Sequence, residues 1–225
     1  MKLYSKISAL GAVLVLTSAF ASADTINLNS SSATVVYTGF NASTAAGVTT
    51  NNAPVATVNI DSGASTVWMA AGGTSSWVSY GPTGPTGSII APNGTYTYKT
   101  SFSTTGGVYS GSITVLADDT TDIYLNGVQV IPSGTLGGNS HCADGTPSCL
   151  TIDTVMLNSG TAGFNSNGAN TLTFNVKQTA LVYEGLDFYG SITSTSGVTP
   201  EPSSLLLFGT GLIGSAGALL RRMRA

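Results

Sequence analysis

Between residues 95 and 131 short apolar strand patterns recur between turn sequences, and over 95–102 apolar and polar side chains alternate with a period of two. That period puts successive side chains on opposite faces of a strand. Tyr96, Tyr98 and Phe102 fall on one side, and Thr95, Thr97 and Lys99 on the other. A turn over residues 104–107 leads to a strand over 110–116, where Ile113 and Val115 are set against Thr114. Asp118-Asp119-Thr120 is a bend. Residues 122–125 and 128–131 flank Asn126-Gly127, a pair that accepts positive φ at both positions and therefore predicts a type I′ hairpin.

The same signals recur more weakly on either side. Strands are expected over residues 33–37, 55–60, 76–80, 150–157, 171–176 and 186–192, and loops over 43–52, 132–149 and 158–169. The strand at 76–80 stops at Gly81-Pro82-Thr83-Gly84-Pro85, where proline removes ladder donors. No repeat of 20–50 residues is present, which disfavours a solenoid or propeller. Nine or ten short strands with frequent turns predict an all-β fold of two packed antiparallel sheets.

The two ends read differently from this body. Residues 1–23 have the order of a secretory signal peptide: Lys2 and Lys6, an apolar run over 7–20, then Ala21-Ser22-Ala23 as a cleavage site. The sandwich is expected over 24–193 and a linker over 194–199. The tail, 200–225, holds Pro200-Glu201-Pro202, an uncharged run over 203–220, and the basic residues Arg221, Arg222 and Arg224. As a helix the run would rise about 27 Å, just enough for a hydrocarbon core, with the arginines as a membrane stop on the cytoplasmic side.

Without its ends the chain is acidic. Residues 24–199 hold two lysines, Lys99 and Lys177, against nine carboxylates, a net charge of −7. That charge argues against nucleic acid and anionic membrane surfaces as partners. Cys142 and Cys149 are the two cysteines, separated by a turn-forming sequence. In an exported chain a disulfide between them is expected, contributing about 2–3 kcal/mol. The alternative is a metal site with the neighbouring His141, which lacks a fourth ligand.

Catalytic patterns are sparse. His141 is the single histidine, and neither G-x-S-x-G nor H-E-x-x-H occurs. A paired-carboxylate site would have Asp118, Asp119, Asp122, Glu184 and Asp187 as its candidates, and Glu184 is the single Glu of the body. The expectation is a protein that is not an enzyme. Asp118, Asp119 and Asp122 form the densest set of hard oxygen ligands, readable as a calcium site or as an Asx-type bend. Trp68, Trp77 and Tyr80 are candidate ligand-binding residues, because aromatic faces stack on pyranose rings. The competing reading places Trp77 in the core.

Two resemblances add to these readings. The triplet, apolar segment and terminal arginines together resemble the PEP-CTERM sorting signal of Gram-negative bacteria. Such a signal implies recognition by an exosortase, transient contact with the inner membrane, removal of the tail near the triplet, and an extracellular or cell-surface destination linked to exopolysaccharide or biofilm matrix. Across the body, Trp77-Val78, then residues 94–102, Ala117-Asp118-Asp119, Tyr124-Leu125-Asn126-Gly127, 170–176 and Gly185-Leu186-Asp187-Phe188 resemble the galactose-binding-like jelly roll. These are core and turn positions, so they imply a fold and not a ligand. The expected function is that of an exported, non-catalytic protein associated with extracellular polysaccharide. The alternatives are a carbohydrate-binding module and an adhesive or structural surface protein.

Overall fold

The structure is a computed structural model that describes residues 23–42, 55–60, 68–132, 153–179, 183–194 and 202–223. The signal peptide, the loop bearing His141, Cys142 and Cys149, and Pro200, Glu201 and Arg224 lie outside the described residues. Asp24–Thr195 forms one compact unit, and the C-terminal segment belongs to another.

The central strands lie where the alternation puts them. β6 (Gly94–Thr105) and β11 (Asn167–Gln178) pair antiparallel over their full lengths, Gly94 opposite Gln178 and Thr105 opposite Asn167. Apart from half-buried Gly168, their even-numbered residues are buried, and their odd-numbered ones face outward. β2 (Val36–Ala42) and β3 (Val55–Ala56) extend this sheet beyond β6, and β8 (Thr120–Leu125) and β9 (Val128–Ile131) extend it beyond β11. The turn between β8 and β9 has Asn126 at φ 50° and Gly127 at φ 82°, the positive pair that a type I′ turn requires.

The second sheet has β7 (Tyr109–Asp118) and β12 (Gly185–Ser194) at its centre, paired along their lengths. β10 (Asp153–Met156) borders β7. On its other side β12 is bordered by two elements in succession: β5 (Trp77–Ser79), itself paired with β4 (Val58–Ile60), and β1 (Thr25–Asn29). The two sheets pack face to face. Phe174 of β11 stacks on Phe188 of β12 with centroids 4.9 Å apart, and Tyr98, Ile113, Val115, Ile123 and Leu172 share one buried cluster with them. This is the antiparallel two-sheet sandwich expected from the alternation.

Four elements depart from the reading of the sequence, the first being β2, expected over 33–37 and found at Val36–Ala42 because residues 32–34 form a turn. The expected strand over 55–60 is divided at Thr57, its first part joining one sheet and its second the other. Thr57 is buried and donates its hydroxyl to Val35 O (3.0 Å), which fixes the crossing point. β1 was not anticipated, since a short edge strand with only Ile26 and Leu28 as apolar markers gives a weak signal. β11 begins at Asn167, inside the expected polar loop, because pairing with β6 holds residues that hydropathy alone would leave free.

The tail is a helix, α1 (Pro202–Met223), with Arg221 and Arg222 in its last turn. Among the described residues no helix is long and apolar enough to cross a membrane. The spanning expectation for 203–220 draws on the side chains of 203–207, which lie outside the described residues.

Candidate functional site

The tryptophans are not at the surface. Trp68 and Trp77 are 0 % and 1 % exposed and stack on each other with centroids 4.2 Å apart. Trp68 Nε1 donates to Asp118 Oδ2 at 2.5 Å, Trp77 Nε1 donates to Met69 O at 2.9 Å, and Leu116 packs beside them. The sugar-platform reading of Trp68 and Trp77 is therefore corrected. Strand alternation places Trp77 on the side of β5 away from Val78 and the main core, and Trp68 folds over to cover it. Gly185 is the small residue that admits the Trp68 ring, which would come within 2.6 Å of a Cβ there.

The aspartates do not converge either. Asp118 is occupied by Trp68 and lies against Asp119. Asp119 Oδ2 accepts from both Thr179 N and Thr179 Oγ1 at 2.8 Å, and Asp122 meets Lys177 Nζ at 3.4 Å. Strand β8 carries Asp122 away from the bend. Among the described residues no group of three or more His, Cys, Asp or Glu side chains is placed to hold a metal ion. The three carboxylates that the sequence left readable as a calcium site or an Asx-type bend thus engage separate partners here.

Tyr80 lies in a different setting. Tyr80, just past β5 of one sheet, meets aromatic rings carried by β2 and β6 of the other. Tyr80 stacks on Tyr96 (5.1 Å, 10°), Phe40 leans on Tyr96 (4.7 Å), and Tyr37 contacts Tyr80 (5.7 Å) and Tyr98 (5.6 Å). Tyr96 and Tyr98 are buried, whereas Tyr37, Phe40 and Tyr80 are half-buried and form a contiguous aromatic rim. The register explains the grouping: Tyr37 lies opposite Tyr98 and Phe40 opposite Tyr96, so all four share one face of the sheet.

Beneath the rim lies a fully buried carboxyl. Glu184 accepts from Ser79 Oγ (2.6 Å) and from the Tyr98 hydroxyl, 2.8 Å from Oε2 and 2.9 Å from Oε1. Thr83 Oγ1, 2.7 Å from Ser79 Oγ and 2.6 Å from Glu184 O, ties the following loop to the same point. Burial pushes the Glu184 carboxyl up to about 8 against the pull of the Ser79 and Tyr98 hydrogen bonds. Burial, with the Glu184 charge second, raises Tyr37 to about 12. Glu184 is closed to solvent and, through the Tyr98 hydroxyl, anchors the ring that packs beneath Tyr37. In sequence it stood out only as the single Glu of the body; its burial is a product of the fold.

A groove lies beside the second half of β6. β2 borders β6 only as far as Lys99, opposite Val36, while β1 belongs to the other sheet. Between β1 and the bare edge of β6 runs a groove of about 590 Å³, lined among others by Asn27, Asn29, Thr34, Lys99, Ser101 and Ser103.

Fold and tail together define a β-sandwich followed by a helical C-terminal segment. That segment carries a PEP-CTERM protein-sorting motif over residues 198–224, which marks the chain for export to the cell surface or beyond. No curated protein matches the chain. Among solved structures it is similar to a family 35 carbohydrate binding module from Clostridium thermocellum, at 10 % identity and TM-score 0.35, covering 74 % of this chain and 97 % of that one. It is also similar to a family 35 module from an environmental isolate, at 13 % identity and TM-score 0.28, covering 59 % and 86 %. A third similarity is to a cycloisomaltooligosaccharide glucanotransferase of Paenibacillus sp., at 13 % identity and TM-score 0.32, covering 76 % of this chain and 18 % of the enzyme. These distances carry no argument about ligand or activity.

Proposed function

We propose that the protein is an exported, non-catalytic, polysaccharide-binding component of the extracellular matrix, processed by an exosortase at its C-terminal signal. The observation that carries the binding role is the half-buried rim of Tyr37, Phe40 and Tyr80. Aromatic faces held at the mouth of a rigid sandwich offer apolar surface to pyranose rings at little entropic cost, since buried Tyr96 and Tyr98 fix them from below. The sorting motif supports the location. The buried position of Glu184 and Asp118 supports a binding role over a catalytic one.

Affinity gel electrophoresis of the protein in gels containing neutral or acidic polysaccharides tests this reading. Wild type is expected to be retarded by at least one polymer, and the double variant Tyr37→Ala/Tyr80→Ala to lose about tenfold or more in affinity, as removal of stacking rings does. No retardation in any gel, with circular dichroism showing a folded protein, would end it. Mass spectrometry of the exported protein checks the processing: the expected C-terminus lies near Pro200-Glu201-Pro202.

A further inference from the structure

The groove between β1 and β6 is built around a free strand edge whose polarity follows from the ladder. Thr97 O accepts from Thr38 Oγ1 on the β2 side, and Thr105 N donates to the Tyr109 hydroxyl. On the partner strand, Thr171, opposite Ser101, directs its own N–H and C=O to Asn126. In an antiparallel ladder such residues alternate, so the odd-numbered positions of β6 face away from β11. Ser101 and Ser103 therefore turn their backbone N–H and C=O toward the groove, where β2 no longer covers them.

The groove has one charge. Lys99 is exposed at the end where β2 stops, and no carboxylate lines the walls. The other lysine of the sandwich, Lys177, is held 3.4 Å from Asp122. Lys99 makes no ion pair among the described residues. The other polar residues of the walls are Asn27, Asn29, Thr34, Thr100, Ser101 and Ser103, of which Ser101 already meets Thr171 Oγ1 at 3.1 Å through its hydroxyl.

We propose that this groove is a second saccharide site, distinct from the tyrosine rim, that takes an extended acidic glycan with its carboxylate or sulfate on Lys99. The neighbouring sugar hydroxyls meet the Asn27 amide and the free edge of β6. A glycan suits this surface better than an added peptide strand does. A strand would need pockets for every second side chain, yet the floor residues Leu28 and Phe102 are already 5 % and 7 % exposed. A chain of hydroxyls needs only the donors and acceptors that line the walls. The site rests on the polysaccharide reading but uses different residues, so the two can fail separately.

The probes are polygalacturonate, chondroitin sulfate and a neutral galactan in affinity gels at about 0.15 M salt, where general repulsion from the acidic body reaches only about 8 Å. Retardation by polygalacturonate, chondroitin sulfate or both is expected, and retardation by polygalacturonate shows that a carboxylate suffices. Lys99→Gln should weaken that binding about tenfold, since a charge-assisted hydrogen bond is lost. Lys99→Arg should retain it, and binding to neutral galactan should not change in either variant. Acidic-gel binding that Lys99→Gln leaves intact overturns the proposal, as does retardation by the neutral polymer alone, which would leave the tyrosine rim standing. Failure in every gel removes both. Amide shifts at Ser101 and Ser103 on adding an extended peptide but none of the glycans would also overturn it, in favour of strand addition.

Discussion

The Glu184 carboxyl is the residue whose chemistry is most altered by the fold. Its value rises from 4.5 to about 8 because burial penalises the charged form more than Ser79 and Tyr98 can offset. The folded protein thus holds a proton that the unfolded chain releases near pH 4.5. The stability this contributes is fully present below that pH and is lost as pH rises toward about 8. Glu184→Gln keeps the shape and the acceptor while removing the titration. Thermal melts from pH 4 to 9 should therefore show a flatter profile for the variant, with the difference concentrated between pH 4.5 and 8. A variant profile parallel to wild type would show that Glu184 does not titrate in that window. That Glu184 is a hub was not legible in the sequence, since only folding brings Ser79 and Tyr98 to it from 105 and 86 residues away. Trp68 makes the same point in reverse: its local sequence gave no sign that its indole N–H would find Asp118, 50 residues on.

At the scale of the strand, β6 shows how one element can be internally regular and unequally supported. Its first half is flanked by β2 and β11, its second half by β11 alone. Alternation in the sequence marked which side chains face the core, but not which backbone groups are left free. That depends on where β2 ends, which the crossing between sheets at residues 30–35 decides. The parity argument makes a prediction specific to the backbone. Ser103→Pro removes an N–H that faces the groove, whereas Thr104→Pro removes one that faces β11, and Thr104 also donates its hydroxyl to Asn165 O and Gly168 O. Thr104→Pro should cost at least about 3 kcal/mol, and Ser103→Pro markedly less, as proline is tolerated at free edges. Urea denaturation of the two variants measures the difference, and equal losses would refute the assigned edge.

For the molecule as a whole, three buried carboxyls point the same way. Burial raises Glu184, Asp118 and Asp187 alike, against hydrogen bonds that hold them down: Ser79 and Tyr98 for the first, Trp68 for the second, Ser75 and Ser30 for the third. Each contributes stability in acid that fades as pH rises through its folded value. The −7 charge of residues 24–199 adds self-repulsion in the same direction. The protein should therefore melt highest at mildly acidic pH and progressively lower toward pH 8. Added salt should recover only the self-repulsion, because buried groups are poorly screened. Calorimetry across pH at low and high salt checks this, and a melting temperature that rises with pH would contradict it.

The sequence by itself determined the class of fold and the direction of travel. A period-two pattern can be satisfied only on a pleated surface with one face buried, and the Asn126-Gly127 pair fixes a turn through backbone sterics that are local. The triplet, apolar run and arginines of the tail are likewise contiguous, so they could be read directly. What the tertiary structure decided was exposure. Whether an aromatic ring is a platform or a core residue depends on which strands border it, and that placed Trp68 and Trp77 inside while leaving Tyr37, Phe40 and Tyr80 at the rim. The physical reason is that strand pairing is non-local: the sequence specifies the two faces of each strand, and only the packed sheets determine which face, and which edge, meets water.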